Sequence, residues 1–482
     1  KVKVFADIVP IMEQKNVSLA QQYQRIADVF LAEGADCFLF ETLLNTQELH
    51  AVTSYIKEQC PQACIIVSFA VTADGYSRQG IAMSRLLQDC LADEHVDACG
   101  LNCVCGPMHM KRLLDSIDRT QKPILIMPNA GYPTILANRT YFRDSSTYFA
   151  KEMREIWQKG ARLLGGCCGT TPIYIQKTRE ALQEHKIIQK VQQPAQETER
   201  IPQEDHNPLR RKLQRKQPVI AVEFDPPANC EIERFMNHVE FLKEAGVDAV
   251  TIADCPIARA RVDSSLIACK LHMTCRDRNI NATKALLFGL QIEGIRNVLV
   301  VTGDPIPSED RQEVKGVFNF NSQILAGYIR DLNETMFTSP FMVFGALNLN
   351  AVNFEAELAK AKRKVTQGME GFLTQPVHSR QALFNLKRAR KELQAYILGG
   401  VLPIVSHRNA VYMNNEISGI EVDEEIVAMY EGTTRKEAQK LAVDISCKTM
   451  DEMRPYIDGY YLITPFNRVE IIADMITYIH KQ

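Results

Sequence analysis

The chain has 482 residues, of which 46% are hydrophobic and 24% charged, and its formal net charge at pH 7 is -2. This length is too great for one ordinary domain and suits two domains of roughly 200–250 residues. The near-neutral charge gives no reason to expect binding to nucleic acid or to an anionic membrane, and there is no apolar run long enough to cross a bilayer. The fourteen cysteines, in a large chain that opens without a secretory signal, predict reduced thiols in the cytoplasm.

A repeated order of elements starts within the first forty residues. Ser18 and Gln21 form a capping box at the start of a predicted helix, which Gly34 ends. The apolar run 37–40 follows as a strand of the buried type, and Glu41 stands at its end. The same order recurs along the chain. Strands that are apolar along their whole length and alternate with helices indicate parallel sheets buried on both faces.

The first half of the chain contains six such strands. They begin near Val2, Asp36, Cys64, Asp97, Ile124 and Leu163. Because a closed (β/α)8 barrel needs eight strands, we expect residues 1–185 to form a TIM-type barrel that is truncated at its N-terminus by one or two βα units.

Residues 186–217 are rich in Gln, Glu, Lys, Arg and Pro, and are predicted to be a polar linker with some helix. Residues 218–482 contain eight candidate strands, which predict a second (β/α)8 barrel with its chemistry at the carboxyl ends of the strands. These strands begin near Pro218, Asp248, Leu271, Asn297, Phe341, Gly371, Val401 and Gly459. The stretch before His272 leaves little room for a full strand, which suggests missing residues there. The predicted fold class is therefore α/β, with two TIM-type barrels joined by a polar linker.

Three cysteines follow predicted strands of the first half. Cys103 ends one strand, and Cys167 and Cys168 lie between glycines after another. Adjacent cysteines seldom form a disulfide with each other, whereas both can face one soft cation if the chain turns. Three thiolates with an open fourth position are typical of a catalytic zinc site, which could bind an incoming thiol and hold it as thiolate.

Other polar residues end the neighbouring strands of the first half. Glu41 could bind an ammonium group, and Asn129 a carboxylate or amide, with Ser68 at the same edge. Together with a thiol-binding metal, this set predicts an amino-acid substrate that carries a thiol. The alternative, which the residues leave open, is that scattered polar residues simply end strands.

The second half also carries polar residues at its strand ends. Glu223 precedes two prolines that hold the chain extended, and a carboxyl group buried there would have a raised pKa that suits a general acid. Asp304, in the turn after Gly303, could stabilise a cation on a ligand. No GxGxxG motif follows a strand, so a dinucleotide would have to bind without a Rossmann domain.

Strings in the first half resemble those of the zinc-dependent homocysteine S-methyltransferases, over about residues 1–185. The matching strings are Phe40-Glu41-Thr42, Gly100-Leu101-Asn102-Cys103, Pro128-Asn129-Ala130-Gly131 and Gly165-Gly166-Cys167-Cys168-Gly169. The resemblance implies that Cys103, Cys167 and Cys168 hold Zn2+ and that Glu41 binds the homocysteine amine. The family's opening strand, with its Asp-Gly-Ala-type motif, is absent from this sequence.

Strings in the second half, over about residues 215–480, resemble 5,10-methylenetetrahydrofolate reductase. They are Glu223-Phe224-Asp225-Pro226-Pro227, His272-Met273-Thr274-Cys275, Gly303-Asp304-Pro305, Lys362-Arg363-Lys364, Thr374-Gln375 and Asn467-Arg468. The resemblance implies that Glu223 is the general acid, that Asp304 stabilises the folate cation, and that Gln375 and Arg468 bind substrate. It also implies FAD as the cofactor and NAD(P)H as the reductant. The residues expected at FAD are Thr251, His272, Thr274, Asn350, Glu357 and Lys364.

The order of the two halves is similar to that of the bacterial bifunctional homocysteine S-methyltransferase/methylenetetrahydrofolate reductase proteins. This resemblance implies homocysteine, a methyl donor, folate and NAD(P)H as ligands, and allows a homo-oligomer. Two other interpretations remain open. The first half could be a non-catalytic zinc-bound scaffold for the reductase, or the chain could be a fragment of cobalamin-dependent methionine synthase.

Overall fold

The computed structural model describes residues 2–11, 17–131, 134–136, 139–142, 145–183, 205–227, 229–253, 261–264, 271–275, 277–303, 316–317, 319–416 and 420–482. The chain divides into two compact units, residues 1–199 and 200–482. No described helix is both long enough and apolar enough to span a membrane.

The first unit contains one parallel sheet of six strands in the order β1-β2-β3-β4-β5-β8, and a short antiparallel hairpin, β6-β7. The strands are β1 (Ala6–Ile8), β2 (Cys37–Leu43), β3 (Cys64–Phe69), β4 (Ala98–Asn102), β5 (Ile124–Met127), β6 (Thr134–Leu136), β7 (Arg139–Tyr141) and β8 (Leu163–Leu164). The six predicted parallel strands are confirmed, and this sheet is open rather than closed. The first strand lies later than predicted, since Val2 and Val4 are 92% and 79% exposed and β1 starts at Ala6.

Helices connect these strands and cover one face of the sheet. They are α1 (Leu19–Ala32), α2 (Leu49–Gln59), α3 (Met83–Ala92), α4 (Pro107–Leu113), α5 (Ser146–Gln158) and α6 (Pro172–Gln183). The predicted start of α1 is confirmed, because the Ser18 hydroxyl oxygen accepts a hydrogen bond from the Gln21 N–H at 3.2 Å. After the helix ends, Gly34 adopts a φ of +79°, which glycine tolerates without strain.

Alternation along the strands decides which side chains reach the uncovered face of this sheet. Apolar residues such as Phe38, Phe40 and Val67 pack in the large core under the helices. Leu39 and Ile66 belong to a separate, smaller cluster on the opposite face. Since successive side chains point to opposite faces, residues 41, 68 and 102 share the face of this smaller cluster.

The second unit contains a closed barrel of eight parallel strands in the order β10-β11-β12-β13-β14-β15-β16-β9. The strands are β9 (Val219–Phe224), β10 (Ala249–Ile252), β11 (Leu271–Thr274), β12 (Asn297–Val301), β13 (Met342–Leu347), β14 (Gly371–Pro376), β15 (Tyr396–Val401) and β16 (Gly459–Ile463). The predicted TIM-type barrel is confirmed, and its helices are α7 (Pro208–Gln214), α8 (Glu233–Glu244), α9 (Ile280–Ile292), α10 (Ser322–Thr335), α11 (Phe354–Thr366), α12 (Arg380–Glu392), α13 (His407–Glu416), α14 (Glu424–Met429), α15 (Arg435–Met453) and α16 (Val469–His480).

One strand of this barrel, β15, differs from the sequence prediction. The strand expected to begin near Val401 ends there, because the glycines 399 and 400 lie inside β15 instead of in a turn before it. A Cβ atom on Gly400 would lie 2.3 Å from the carbonyl oxygen of Thr374, so the close approach of β14 requires glycine here. The strand predicted to begin near Leu271 is confirmed as β11, which pairs with β12 over four residues, from Leu271 to Thr274, although the stretch before His272 suggested little room for it.

Helix α7 lies inside the segment predicted to be a linker, and it packs onto the amino-terminal end of the barrel. Leu209 and Leu213 join the core cluster that fills the barrel. The Arg210 guanidinium donates to both carboxylate oxygens of Glu370, at 2.6 and 3.0 Å, and Lys212 pairs with Asp248 at 2.7 Å. Both acids stand just before strands, which fixes α7 at this end of the barrel and leaves the carboxyl ends of the strands open.

Candidate functional site

Three thiols meet at the carboxyl-terminal edge of the sheet in the first unit. Cys103 directly follows β4, and Cys167 and Cys168 follow β8. The sulfur atoms of Cys103 and Cys168 are 3.6 Å apart, and all three sulfurs lie within 4.8 Å of one another. Zinc bonds of about 2.3 Å to sulfur in a tetrahedral site separate the sulfurs by roughly 3.8 Å. The three thiols are therefore spaced for a zinc ion.

Hydrogen bonds between strand ends hold the backbone around these thiols. The Cys103 N–H donates to the Met127 carbonyl at 3.1 Å, and the Cys167 N–H donates to the Pro128 carbonyl at 2.9 Å. Cys103 has a φ of 60°, in the left-handed region that non-glycine residues rarely adopt. Such a conformation persists only where the surrounding structure fixes it, and it is common at functional sites.

The pKa values of two of the thiols are raised, as expected where several thiolates would share one cation. Burial raises the pKa of Cys167 well above its ordinary value, and the neighbouring Cys103 and Cys168 raise it further. Burial and Cys103 likewise raise the pKa of Cys168. Three thiolates so close together repel one another, and a divalent ion offsets this repulsion. The donor set among the described residues is three sulfurs with no fourth side chain, which fits zinc with one position open for a ligand.

Asn102, the last residue of β4, connects the thiols to the neighbouring strands. Its side chain is fully buried, and its Oδ1 atom accepts from the Thr42 N–H at 2.9 Å and from the Ser68 hydroxyl at 2.8 Å. Its Nδ2 atom donates to Glu41 Oε2 at 3.1 Å and lies 3.9 Å from the Cys167 sulfur. One amide thus fixes the position of Glu41 relative to the thiols.

The other predicted residues of the first unit are Glu41, Asn129 and Ser68, and each makes a different contact at the site. Glu41 is partly buried, and burial, followed by the charge of Asp7, raises its pKa. Asn129 accepts from the Cys168 N–H at 3.1 Å, so its oxygen supports the thiol loop. Ser68 is fully buried, and its hydroxyl donates to Asn102 Oδ1, which connects it to the site.

Alternation along the barrel strands brings two predicted residues of the second unit to the barrel interior. Ala221 and Ala249 belong to the interior cluster. Two positions after each of them, and so on the same inward face, stand Glu223 and Thr251. Gln375 lies near the carboxyl end of β14, where the pairing with β15 shifts in register between Leu373 and Pro376. Glu223 and Thr251 are also direct neighbours across β9 and β10.

Glu223 has the electrostatic properties of a general acid. Burial, followed by repulsion from Asp225, raises its pKa to about 8. Among the residues that the structure describes, none donates a hydrogen bond to its carboxyl group. A carboxyl group with this pKa carries its proton at neutral pH and can donate it to a bound base.

A second group of predicted residues surrounds the carboxyl end of β13. The Lys364 ammonium donates to the Ala346 carbonyl at 3.0 Å, and burial lowers its pKa to about 8. Glu357, two turns earlier on α11, accepts from the Asn348 N–H at 3.3 Å. The Asn350 amide donates to the Pro376 carbonyl at 3.3 Å and so connects this loop to the end of β14.

For the remaining predicted residues, the structure gives the backbone position alone or no position. Arg468 follows β16 and precedes α16, and its N–H donates to the Pro465 carbonyl at 3.0 Å. His272 and Thr274 lie in β11 by their backbone. Asp304 lies outside the described residues.

Buried polar atoms near the barrel mouth give a test of whether a cofactor fits there. The Thr251 hydroxyl is buried without a hydrogen-bond partner among the described residues, and so is the Thr464 hydroxyl just after β16. Buried hydroxyls without partners are costly in a folded protein. Their presence at the carboxyl ends of the strands fits a bound polar group, and FAD is the group that the sequence implies.

Comparison with protein families identifies both units. Residues 5–182 match the family model described as Homocysteine S-methyltransferase, and residues 208–476 match the model described as Methylenetetrahydrofolate reductase. The second match covers more than half of the 482-residue chain. The chain belongs to the methylenetetrahydrofolate reductase family. Before its reductase domain, this family member carries a homocysteine S-methyltransferase domain, the order predicted from the sequence.

Curated relatives of this reductase-family chain match part of its length. Methionine synthase of Mycobacterium leprae (strain TN) is 30% identical over 166 residues, which are 33% of this chain and 14% of that protein. Homocysteine S-methyltransferase 1 of Arabidopsis thaliana is 27% identical over 168 residues, 33% of this chain and 50% of that protein. Homocysteine S-methyltransferase YbgG of Bacillus subtilis (strain 168) is 30% identical over 149 residues, 30% of this chain and 46% of that protein. The chain thus spans about half or less of the length of these relatives.

Among solved structures, the oxidized form of the homocysteine methyltransferase MmuM from Escherichia coli is similar to this chain at 22% identity. The similarity has a TM-score of 0.28 and covers 34% of this chain and 53% of that one.

Sequence reasoning gave no role to two residues of this reductase-family chain that the structure places at the sites. Asn102 was visible as the polar end of an apolar strand, the same signal that selected Glu41. Thr464 also follows a strand, and its N–H donates to the Glu223 carbonyl at 3.2 Å. Polar residues at strand ends are numerous, and only the fold shows which of them converge.

Proposed function

We propose that this chain is a bifunctional enzyme. Its first unit transfers a methyl group to homocysteine on zinc, and its second unit reduces 5,10-methylenetetrahydrofolate to 5-methyltetrahydrofolate with FAD and NAD(P)H. The observation that carries the proposal is the pair of family matches, together with three clustered sulfurs in one unit and, in the barrel of the other, Glu223 with a pKa raised by burial to about 8.

In the first unit, Cys103, Cys167 and Cys168 would hold the metal. Zinc at this site supplies a lowered pKa for the substrate thiol, so that homocysteine is present as a thiolate at neutral pH. Glu41, held by Asn102, would bind the substrate ammonium group, and Asn129 would lie near its carboxylate.

The methyl donor must carry a good leaving group. The thiolate sulfur attacks the methyl carbon, and the bond between that carbon and the donor atom breaks with its electron pair. A sulfonium such as S-methylmethionine or S-adenosylmethionine leaves as a neutral thioether. Transfer from methylfolate would break the bond to the N5 atom of tetrahydrofolate, a much poorer leaving group than a thioether, and methylfolate is therefore the less suitable donor.

In the second unit, Glu223 would protonate the folate amine and open its five-membered ring to an iminium cation. Asp304 would stabilise this cation, and Gln375 and Arg468 would bind the folate. Bound FAD would supply the hydride transfer from NAD(P)H to the folate carbon. Thr251, His272, Thr274, Asn350, Glu357 and Lys364 would hold the cofactor, and the buried Thr251 hydroxyl supports this position.

The match of residues 208–476 to the reductase family favours this function over a fragment of methionine synthase. The decisive experiment is the visible spectrum of the purified chain before and after anaerobic NADH and then NADPH. Flavin bands that bleach with either reductant are the expected result. A chain that binds no flavin after incubation with FAD would refute the reductase assignment.

The methyltransferase assignment needs a separate assay. The expected result is methionine from homocysteine and a sulfonium donor, with the activity abolished in Cys167→Ser. Zinc binding without any turnover would instead support the scaffold interpretation of the first unit.

A further inference from the structure

We propose a second metal site in the first unit, formed by His50, Asp93 and His95, that binds a divalent transition metal such as zinc. One ligand atom from each residue lies within 4.8 Å of the other two. The His50 Nδ1 atom is 3.2 Å from Asp93 Oδ1, and the two imidazole rings are 5.4 Å apart between centroids. Metal bonds of about 2.1 Å to nitrogen and oxygen separate tetrahedral ligands by roughly 3.4 Å, so small side-chain rotations complete the site.

The ligands come from two neighbouring elements. His50 lies in the first turn of α2, Asp93 caps the end of α3, and His95 follows two residues later in the connection to β4. None of these residues belongs to the cluster of Cys103, Cys167 and Cys168, which is a separate group of ligands. The proposed site would therefore join α2 to the turn between α3 and β4.

The Asp93 carboxylate is already held in place for such a role. Its side chain is only 5% exposed. One oxygen accepts from the buried Thr53 hydroxyl at 2.9 Å, and the other accepts from the His95 backbone N–H at 3.0 Å. Hydrogen bonds of this kind orient metal ligands and raise metal affinity. Thr53 also lies on α2, one turn after His50, so the same helix supplies a ligand and its support.

The charges around Asp93 leave its carboxylate available to a cation. Among the described residues, the one basic side chain within ion-pair distance is His50, which is charged only when protonated. Lys122 donates to the backbone carbonyls of Cys90 and Asp93 and not to the carboxylate. A metal would thus lie between His50 and Asp93 and bind both of them.

The ligand set selects the kind of metal. Two imidazoles and one carboxylate suit zinc and its neighbours among the transition metals, whereas magnesium and calcium prefer oxygen ligands alone. The side chain of His50 is 71% exposed and that of His95 is 25% exposed, so the site is open to solvent on one side and a water molecule could complete the coordination. Bound zinc would stabilise the folded first unit by mass action.

Zinc titration of the metal-free full chain against a chromogenic chelator tests this proposal. We expect two zinc ions per wild-type chain, and one in His50→Ala and in His95→Ala. In the Cys167→Ser background, the same histidine changes should lower the remaining zinc affinity by at least about 10-fold, and Thr53→Val should lower it by roughly 10- to 100-fold because the carboxylate loses its support.

His407→Ala is the matched control, since this histidine is also exposed and has the Glu431 carboxylate 3.9 Å away in the second unit. It should leave both zinc ions in place. One zinc ion per wild-type chain, or equal zinc loss in His50→Ala and His407→Ala, would overturn the proposal. His50 is so exposed that its replacement should not affect folding, and an unchanged far-ultraviolet spectrum checks this. Failure of this site would leave the proposed methyl transfer and folate reduction untouched.

Discussion

The proposed reductase has two half-reactions, reduction of the flavin and reduction of the folate. Only the second needs the proton of Glu223, whose pKa is raised. Glu223→Gln should retain FAD and its reduction by NAD(P)H, because neither step needs the proton of this residue. Folate reduction should fall by about 100- to 10,000-fold, the usual contribution of a general acid. Anaerobic stopped-flow spectra with each substrate in turn measure both steps. Unchanged folate turnover in this variant would refute the acid role.

The same residue predicts the direction of the pH dependence. Since the Glu223 pKa is raised to about 8, the protonated acid is present below this pH and is lost above it. The wild-type rate of folate reduction should therefore fall as pH rises through about 8. Asp225 contributes to the raised pKa by repulsion, so Asp225→Asn should move this fall to lower pH while folate reduction persists. A fall at the same pH in Glu223→Gln would assign the titration to another group.

Asn102 provides a prediction about positioning in the first unit. Asn102→Ala removes hydrogen bonds to Glu41, to the Thr42 N–H and to Ser68 in a fully buried place. We expect a loss of about 1–3 kcal/mol in the free energy of unfolding. We also expect a raised KM for homocysteine, because Glu41 loses the donor that orients it. Ser68→Ala removes only one of these bonds and is the control. A KM that is unchanged in Asn102→Ala would limit this residue to a structural role.

At the scale of elements, the sequence predicts the presence of strands better than it predicts where they end and which residues stabilise their ends. Apolar runs bounded by glycine or a polar residue predict seven of the eight strands of the second unit where the structure has them, because buried parallel strands must be apolar along their length. The two glycines of β15 led to a wrong prediction of where this strand begins. Gly400 is required by the close approach of β14 and not by a turn. Asn102 was overlooked for a similar reason, because its partners come from three different strands that only the fold brings together.

Helix α7 shows the same limit, because nothing in its own sequence reveals that it covers a barrel. Its buried face consists of two leucines and one arginine, too few for a sustained apolar stripe. Leu209→Ala should lower the free energy of unfolding of the second unit by about 2–5 kcal/mol, the cost of a cavity in a packed core. Gln214→Ala, an exposed position on the same helix, should change it little. Denaturant unfolding followed by flavin release measures both. Equal stability of the two variants would mean that α7 does not support the barrel.

At the scale of the whole molecule, the proposed methyl-transfer site and the proposed folate-reduction site belong to two separate sheets. The thiols follow strands of the six-stranded sheet, and Glu223 lies in the closed barrel. Cys167→Ser removes one of three sulfur ligands. Metal analysis should therefore show loss of the thiol-bound zinc, and methionine formation should disappear.

Folate reduction by Cys167→Ser decides how the units work together. If each unit carries its own chemistry, the rate of folate reduction and the flavin spectrum should equal those of the wild type, since the thiols and Glu223 belong to separate sheets. Cys37→Ser, at a buried thiol outside the metal cluster, controls for a general loss of stability in the first unit. If folate reduction falls with Cys167→Ser and not with Cys37→Ser, the metal state of the first unit affects the reductase, and the two activities are coupled. Full zinc retention by Cys167→Ser would instead move the metal to other ligands and remove the basis for zinc-dependent methyl transfer at these three cysteines.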